Sequence, residues 1–268
     1  MDKTYILTIS EGEKTEKQLL ENIQKLFFED KGKNSELIIK SYKTNIYALW
    51  QELKNDFDLN IIDILSDRQE DIREELQGIK NNIQEIYLFF DYDGHAFKQD
   101  GGDEIIGEML DHFDNETENG KLYISYPMVE AIKDLKTEDN CSRRCTVKAK
   151  ENINYKSLVH KETDFQDLTS LKIDDWKYII DFSIKKVKCI LNSSFSKMEY
   201  GEYLEKVTPN IIFQKQLDKF INLNGIVAVI SVFPFFLIDY FGESFFNNIV
   251  ENEVYKNLSQ HEVECKNV

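Results

Sequence analysis

The sequence predicts an α/β protein: a mainly parallel sheet flanked by helices, followed by an α-helical C-terminal subdomain. Two observations carry the α/β part. Short apolar runs rich in β-branched residues alternate with amphipathic helical patterns, the spacing of βαβ units. Two of these runs also stop abruptly at acids, one at Glu11 and one at Asp91 and Asp93. Beyond about Asp139 only helical periodicity is evident, so the expected division is residues 1–139 and 140–268.

Tyr5-Ile6-Leu7-Thr8-Ile9 reads as the first strand and runs into Ser10-Glu11-Gly12. Thr15 with Gln18 three residues on matches a capping box, and Leu19, Leu20, Ile23, Leu26 and Phe27 then recur at helical spacing. Leu37-Ile38-Ile39 reads as a second strand, and Ile46, Leu49, Trp50 and Leu53 as one face of a helix. The charge-rich stretch from Leu59 to Asn82 reads as one or two solvated helices. Ile86-Tyr87-Leu88-Phe89-Phe90 is a buried strand that delivers Asp91-Tyr92-Asp93 at its carboxyl end. A Gly-containing loop, a helix through Ile105 to Phe113 and a strand over Lys121–Ser125 follow, and Pro127 suits the first turn of the next helix.

In the second half, Trp176, Ile179, Ile180, Ile184, Val187, Ile190 and Leu191 form the stripe of a long helix that starts near Asp174 or Asp175. Further helices are expected over Ile211–Leu223 and Ile226–Val250. The apolar stretch Ile226–Ile238 falls short of the ~20 residues of a membrane span and reads as buried core.

Composition narrows the function classes. Hydrophobic residues make up 41% and charged residues 31% of 268 residues, the balance of an ordinary soluble domain. The formal net charge of -16 argues against a broadly nucleic-acid-adhesive surface while leaving room for one local basic groove. The start Met1-Asp2-Lys3-Thr4 does not resemble a secretory leader, and four scattered cysteines do not make a disulfide framework, so a reducing cytoplasm is expected.

Two carboxylates leaving a buried strand at i and i+2 emerge on one side and repel each other unless a cation shares them. Asp91 and Asp93 therefore read as a divalent-metal site, although Asp-Tyr-Asp-Gly also satisfies the chemistry of a solvated turn. Glu11, delivered by a separate strand end, favours the metal reading, because a solvated turn needs no third carboxylate. Three hard oxygen donors suit Mg2+ or Mn2+.

A strand ending in Glu11-Gly12 followed by a later strand ending in Asp91-x-Asp93 resembles the Toprim domain of topoisomerases, primases and related nucleases. The fuller string Glu11-Gly12-Glu13-Lys14-Thr15-Glu16 resembles that of stand-alone Toprim proteins of the OLD and RloB-like groups, many linked to bacterial anti-phage defence. Ser125-Tyr126-Pro127-Met128-Val129-Glu130 resembles their later Pro-x-x-Glu element. The resemblance covers residues 3–135 and implies a Mg2+- or Mn2+-dependent nuclease acting on DNA or RNA. It implies catalytic roles for Glu11, Asp91 and Asp93, with Glu130 and Glu16 as further metal ligands. No tyrosine can be assigned the strand-passing role of topoisomerases, so DNA topology work is not expected.

The remaining candidates admit plainer readings. Glu130 on a first helical turn is favoured by the helix dipole alone, and Glu16 is equally an exposed helix carboxylate. His95, near Asp93, is a candidate ligand or proton carrier, as well as an ordinary loop residue. Cys141, Cys145 and His160 have poor zinc spacing. Arg143, Arg144, Lys148 and Lys150, with Lys156 and Lys161, form a candidate nucleic-acid-binding groove; Lys185, Lys186 and Lys188 form another group, and both are equally solvated faces. The aromatic run Phe233–Phe236 reads as core or interface. The other class of function this composition admits is an effector inactive alone and gated by a protein partner such as an ATPase, possession of a homo-oligomeric form being compatible with either class.

Overall fold

The computed structural model describes residues 3–29, 35–55, 60–92, 102–135, 146–149, 151, 154–163 and 165–251. The chain divides into two compact units: Met1–Asp91 with Ala96–Tyr123 and Asp167–Ser170, and Tyr92–His95 with Ile124–Gln166 and Leu171–Val268. The boundary expected at 139 falls outside the described residues.

The first unit is built on strands β1 (Thr4–Ser10), β2 (Ser35–Ser41), β3 (Ile83–Asp91), β4 (Asp114–Asn115) and β5 (Gly120–Ser125) in the order β2-β1-β3-β5-β4. β1 is parallel to both β2 and β3, and the short β4 is antiparallel to β5. The sheet is therefore mostly parallel, as the alternation of patterns requires. Central position explains the unbroken apolar runs: Leu7 and Ile9 of β1, Leu88 and Phe90 of β3 and Leu122 of β5 are all buried. Gly120 has φ +108, and a Cβ there would stand 2.7 Å from Leu88 Cδ1, so the first residue of β5 must be glycine.

Helices α1 (Thr15–Ile23), α2 (Ile46–Asn55), α3 (Ile61–Arg68), α4 (Glu70–Ile79) and α5 (Asp103–His112) fill the connections. The charge-rich stretch thus forms two helices, and Asn60 caps the first by accepting the Asp63 N–H at 3.0 Å. Two local expectations fail. Thr15 is the first helical residue rather than the cap; Lys14 holds the cap position without a side-chain bond. A wide π-turn, Gln24–Phe28, then shifts the periodicity and buries Phe28 in place of Phe27.

In the second unit, α6 (Tyr155–Glu162) packs Tyr155 and Val159 with Ala131 and Val229 in a small apolar cluster. The long α7 (Ile173–Asn192) buries Trp176, Ile179, Ile180, Ile184, Val187 and Ile190 of the stripe read from the sequence, while Leu191 is only half-buried. Asp175 Oδ2 accepts the Lys172 N–H at 2.8 Å at its start. At its end Lys219 Nζ donates to the carbonyls of Ile190 and Leu191 at 3.0 and 2.8 Å, a cation placed where the helix dipole favours it. Helices α8 (Tyr200–Lys206), α9 (Pro209–Gln216), α10 (Phe233–Phe241) and α11 (Glu243–Glu251) complete the unit.

Two expectations are corrected here. Ile226–Val250 is not one helix: Ile226–Ala228 is strand β7, paired antiparallel with β6 (Thr146–Lys148), and the helix begins only at Phe233 with Pro234 in its first turn. Pro127 does not open a helix: it follows a cis peptide bond from Tyr126, and a single 3-10 turn begins at Val129. The aromatic run is core, with Phe233, Phe235 and Phe236 buried. Among the described residues no helix is long and apolar enough to cross a membrane.

Candidate functional site

Strand order fixes where a site can form. β2 lies on one side of β1 and β5 on the far side of β3, so the connections leaving β1 and β3 run in opposite directions from the boundary between these two strands. In open parallel sheets the crevice at the carboxyl ends beside such a switch point is where ligands bind. Glu11 follows the last residue of β1, and Asp91 is the last residue of β3. The two acids singled out in the sequence therefore flank the switch point.

Glu11 is held from both sides. Its N–H donates to the Phe89 carbonyl of β3 at 3.0 Å, and its own carbonyl accepts the Lys43 N–H at 3.1 Å. Its carboxylate turns toward β3, where Oε2 accepts the Asp91 N–H at 3.2 Å. Both side chains are half-buried.

The turn after Glu11 is equally determined. The Gly12 carbonyl accepts the hydroxyls of Ser10 and Ser41, each at 2.9 Å, and the Gly12 N–H donates to Glu16 Oε1 at 3.1 Å. Glu16 is 6% exposed, so it is not the solvated helix carboxylate that its sequence position equally allowed. Ser10 and Ser41 end adjacent strands in register, a role missed in the sequence; two apolar strands each closing on a serine were the available signal.

The other candidates separate. Asp93 and His95, with Arg143, Arg144, Lys150, Cys141 and Cys145, lie outside the described residues. Glu130 belongs to the second unit, is 4% exposed on its 3-10 turn and pairs with Lys156 Nζ at 2.6 Å. Lys148, also in the second unit, pairs with Glu151 at 2.8 Å. Lys185, Lys186 and Lys188 do not form an open basic face. Lys185 pairs with Asp181 at 2.7 Å, Lys188 with Glu202 at 3.1 Å, and Lys186 is buried with its Nζ donating to the Asp134 carbonyl at 3.3 Å. Periodicity explains this: the three fall within about one turn of α7 and so point in different directions, and the apolar face of the helix includes position 186.

Among the described residues no group of three His, Cys, Asp or Glu side chains is placed to hold a metal ion. Glu11 and Asp91 provide two hard oxygen donors. That set fits Mg2+, which keeps several waters and is commonly held through one or two carboxylates plus substrate phosphates. Beside it, the Gly12 turn leads within three residues into the N-terminus of α1, where backbone N–H groups lack helical partners and favour anions. Comparison with family models, with curated proteins and with solved structures returned no match for the chain.

Proposed function

We propose that the chain is a Mg2+- or Mn2+-dependent phosphodiesterase of Toprim type, a nuclease acting on DNA or RNA, with a role in anti-phage defence. One observation supports it above the others: Glu11 and Asp91 end adjacent parallel strands at the switch point, joined by the bond from the Asp91 N–H to Glu11 Oε2. The defence role rests on the resemblance of the Glu11–Glu16 string alone.

In this reading Glu11 and Asp91 hold the metal, with Asp93 as the third carboxylate. When bound, the ion neutralises charge developing on a phosphoryl oxygen and lowers the pKa of a bound water. The protein's own part is positional. The bonds on either side of Glu11 fix its backbone, and the Asp91 amide fixes its carboxylate through Oε2. A carboxylate held this way orients a water or takes its proton.

The test is cleavage of single- and double-stranded DNA and RNA in Mn2+ by Asp91→Asn, Glu11→Gln and the double variant. Each single change is expected to lower the rate at least about a hundredfold, the low end for a lost acid/base group, with the circular dichroism spectrum unchanged. Full activity in a folded double variant overturns the reading.

A further inference from the structure

The resemblance makes Glu16 a metal ligand, but its bonding suggests a different task. Its carboxylate lies over the turn that carries Glu11, 94% removed from solvent by its 6% exposure, and accepts the Gly12 N–H at 3.1 Å. A Cβ on Gly12 would stand 2.7 Å from Glu16 Oε2 and 2.9 Å from Oε1, so the carboxylate occupies the space that any other residue at position 12 would need. The opposite end of the same residue is fixed too, since Ser10 and Ser41 donate to the Gly12 carbonyl.

We propose that Glu16 is a positioning residue: through the Gly12 amide it holds the Glu11 turn against β3, and it acts on the metal site only through Glu11. The metal part of this statement rests on the phosphodiesterase reading; the positioning part does not. Three acceptor–donor pairs immobilise the peptide groups on both sides of Gly12, which leaves Glu11 one backbone orientation from which its carboxylate meets the Asp91 N–H. What the turn requires at position 16 is a buried acceptor of this length. A negative charge is not required, which separates this role from that of a ligand.

The experiment compares Glu16→Gln, which keeps a side-chain acceptor, with Glu16→Ala, which removes it. Amide hydrogen exchange followed by NMR reads the turn directly. Glu16→Gln is expected to keep the protection of the Gly12 and Asp91 amides within about threefold of the parent chain, and Glu16→Ala to lose about tenfold at both, the order of one hydrogen bond. Equal protection in all three proteins overturns the proposal, as does equal loss in both variants. Mn2+ titration followed by electron paramagnetic resonance supplies the second reading. Glu16→Gln is expected to bind with unchanged stoichiometry and near-parent affinity, and Glu16→Ala with the same stoichiometry and weaker affinity. A stoichiometry lowered by one ion in Glu16→Gln makes Glu16 a ligand and overturns the proposal. A parent chain that binds no Mn2+ overturns the phosphodiesterase reading instead, and the exchange rates still decide the role of Glu16.

Discussion

The Asp91 backbone N–H donates to Glu11 Oε2 across the gap between β3 and the end of β1, at 3.2 Å. The sheet ladder therefore does not end at Ser10. The Glu11 N–H extends it by one bond to Phe89, and the Glu11 side chain supplies the next. A carboxylate that also satisfies a strand-end amide has less freedom to rotate than a surface acid, which is the condition for holding a ligand in one geometry.

Gly12→Ala tests how tightly the turn is packed. The new methyl carbon meets both Glu16 oxygens below 3.0 Å. Glu16 is the flexible partner, so it swings away and leaves the Gly12 N–H without this acceptor. A loss of about 1–2 kcal/mol is expected in urea unfolding, the range for a part-buried amide deprived of its partner. Adding Glu16→Ala to Gly12→Ala should then cost little more, because the bond is already broken; additive losses would show that the two groups do not act together.

The features legible in the sequence were those carried by long apolar runs. β1 and β3 were readable because strands buried on both faces need continuous Ile, Leu and Phe, and their acidic ends stood out by contrast. Glu16 was not readable, since its burial depends on a turn geometry in which Gly12 approaches its carboxylate. β7 was missed for a related reason. Ile226 to Ile238 is interrupted only by Ser231 and Pro234, both buried, so a short buried strand running into a buried helix has no solvated residue to mark the change. Ser231 in the junction and Pro234 in the first turn of α10 were the available hints of the break. The α7 lysines misled because a charged residue on the apolar stripe, Lys186, buries its stem and finds a carbonyl.

Gln216 is the residue that ties β7 to α9. It is fully buried; its Oε1 accepts the Ala228 N–H at 2.8 Å, and its Nε2 donates to the Ala228 carbonyl at 2.7 Å. Gln216→Leu keeps most of the volume but strands two buried peptide groups, at about 1–3 kcal/mol each. Equilibrium urea unfolding should show a loss of about 3 kcal/mol or more. Gln216→Glu should also be damaging, because a carboxylate offers no donor to the Ala228 carbonyl. A change under 1 kcal/mol for Gln216→Leu, on that same scale, would mean that water or a rearranged chain satisfies Ala228.

Lys156 and Lys148 make similar ion pairs with different surroundings. Lys148 and Glu151 are both exposed, with side-chain exposures of 54% and 64%. Lys156 is exposed at 65%, but its partner Glu130 is only 5% exposed. Water screens most of both interactions, yet only Glu130 has lost its hydration to burial. Lys148→Met should leave stability within about 0.5 kcal/mol, and Lys156→Met should lower it by about 1 kcal/mol. Glu130→Gln in the Lys156→Met background should recover part of that loss, since it removes a charge whose partner has gone. Equal effects of the two lysine changes would show that Glu130 is stabilised mainly by its other contacts.

His112 gives stability a pH dependence of known sign. It ends α5, edge-on to Trp50 with ring centroids 5.4 Å apart and to Phe113 at 4.8 Å. Burial lowers its pKa from the ordinary value, and the Asp114 carboxylate opposes this more weakly. The folded chain therefore releases the imidazole proton more readily than the unfolded chain, whose histidine titrates near 6.5. Above that pH both states carry neutral imidazole and His112 costs nothing. As pH falls below about 6.5 the unfolded state takes up the proton first, so stability declines until the folded pKa is passed and then levels. In His112→Phe this contribution disappears. Urea unfolding at pH 7.5 and 5.5 should accordingly show the parent chain losing more stability than His112→Phe over that interval. A parent chain that gains relative to the variant on acidification would place a stronger carboxylate influence on His112 than Asp114 exerts in this structure.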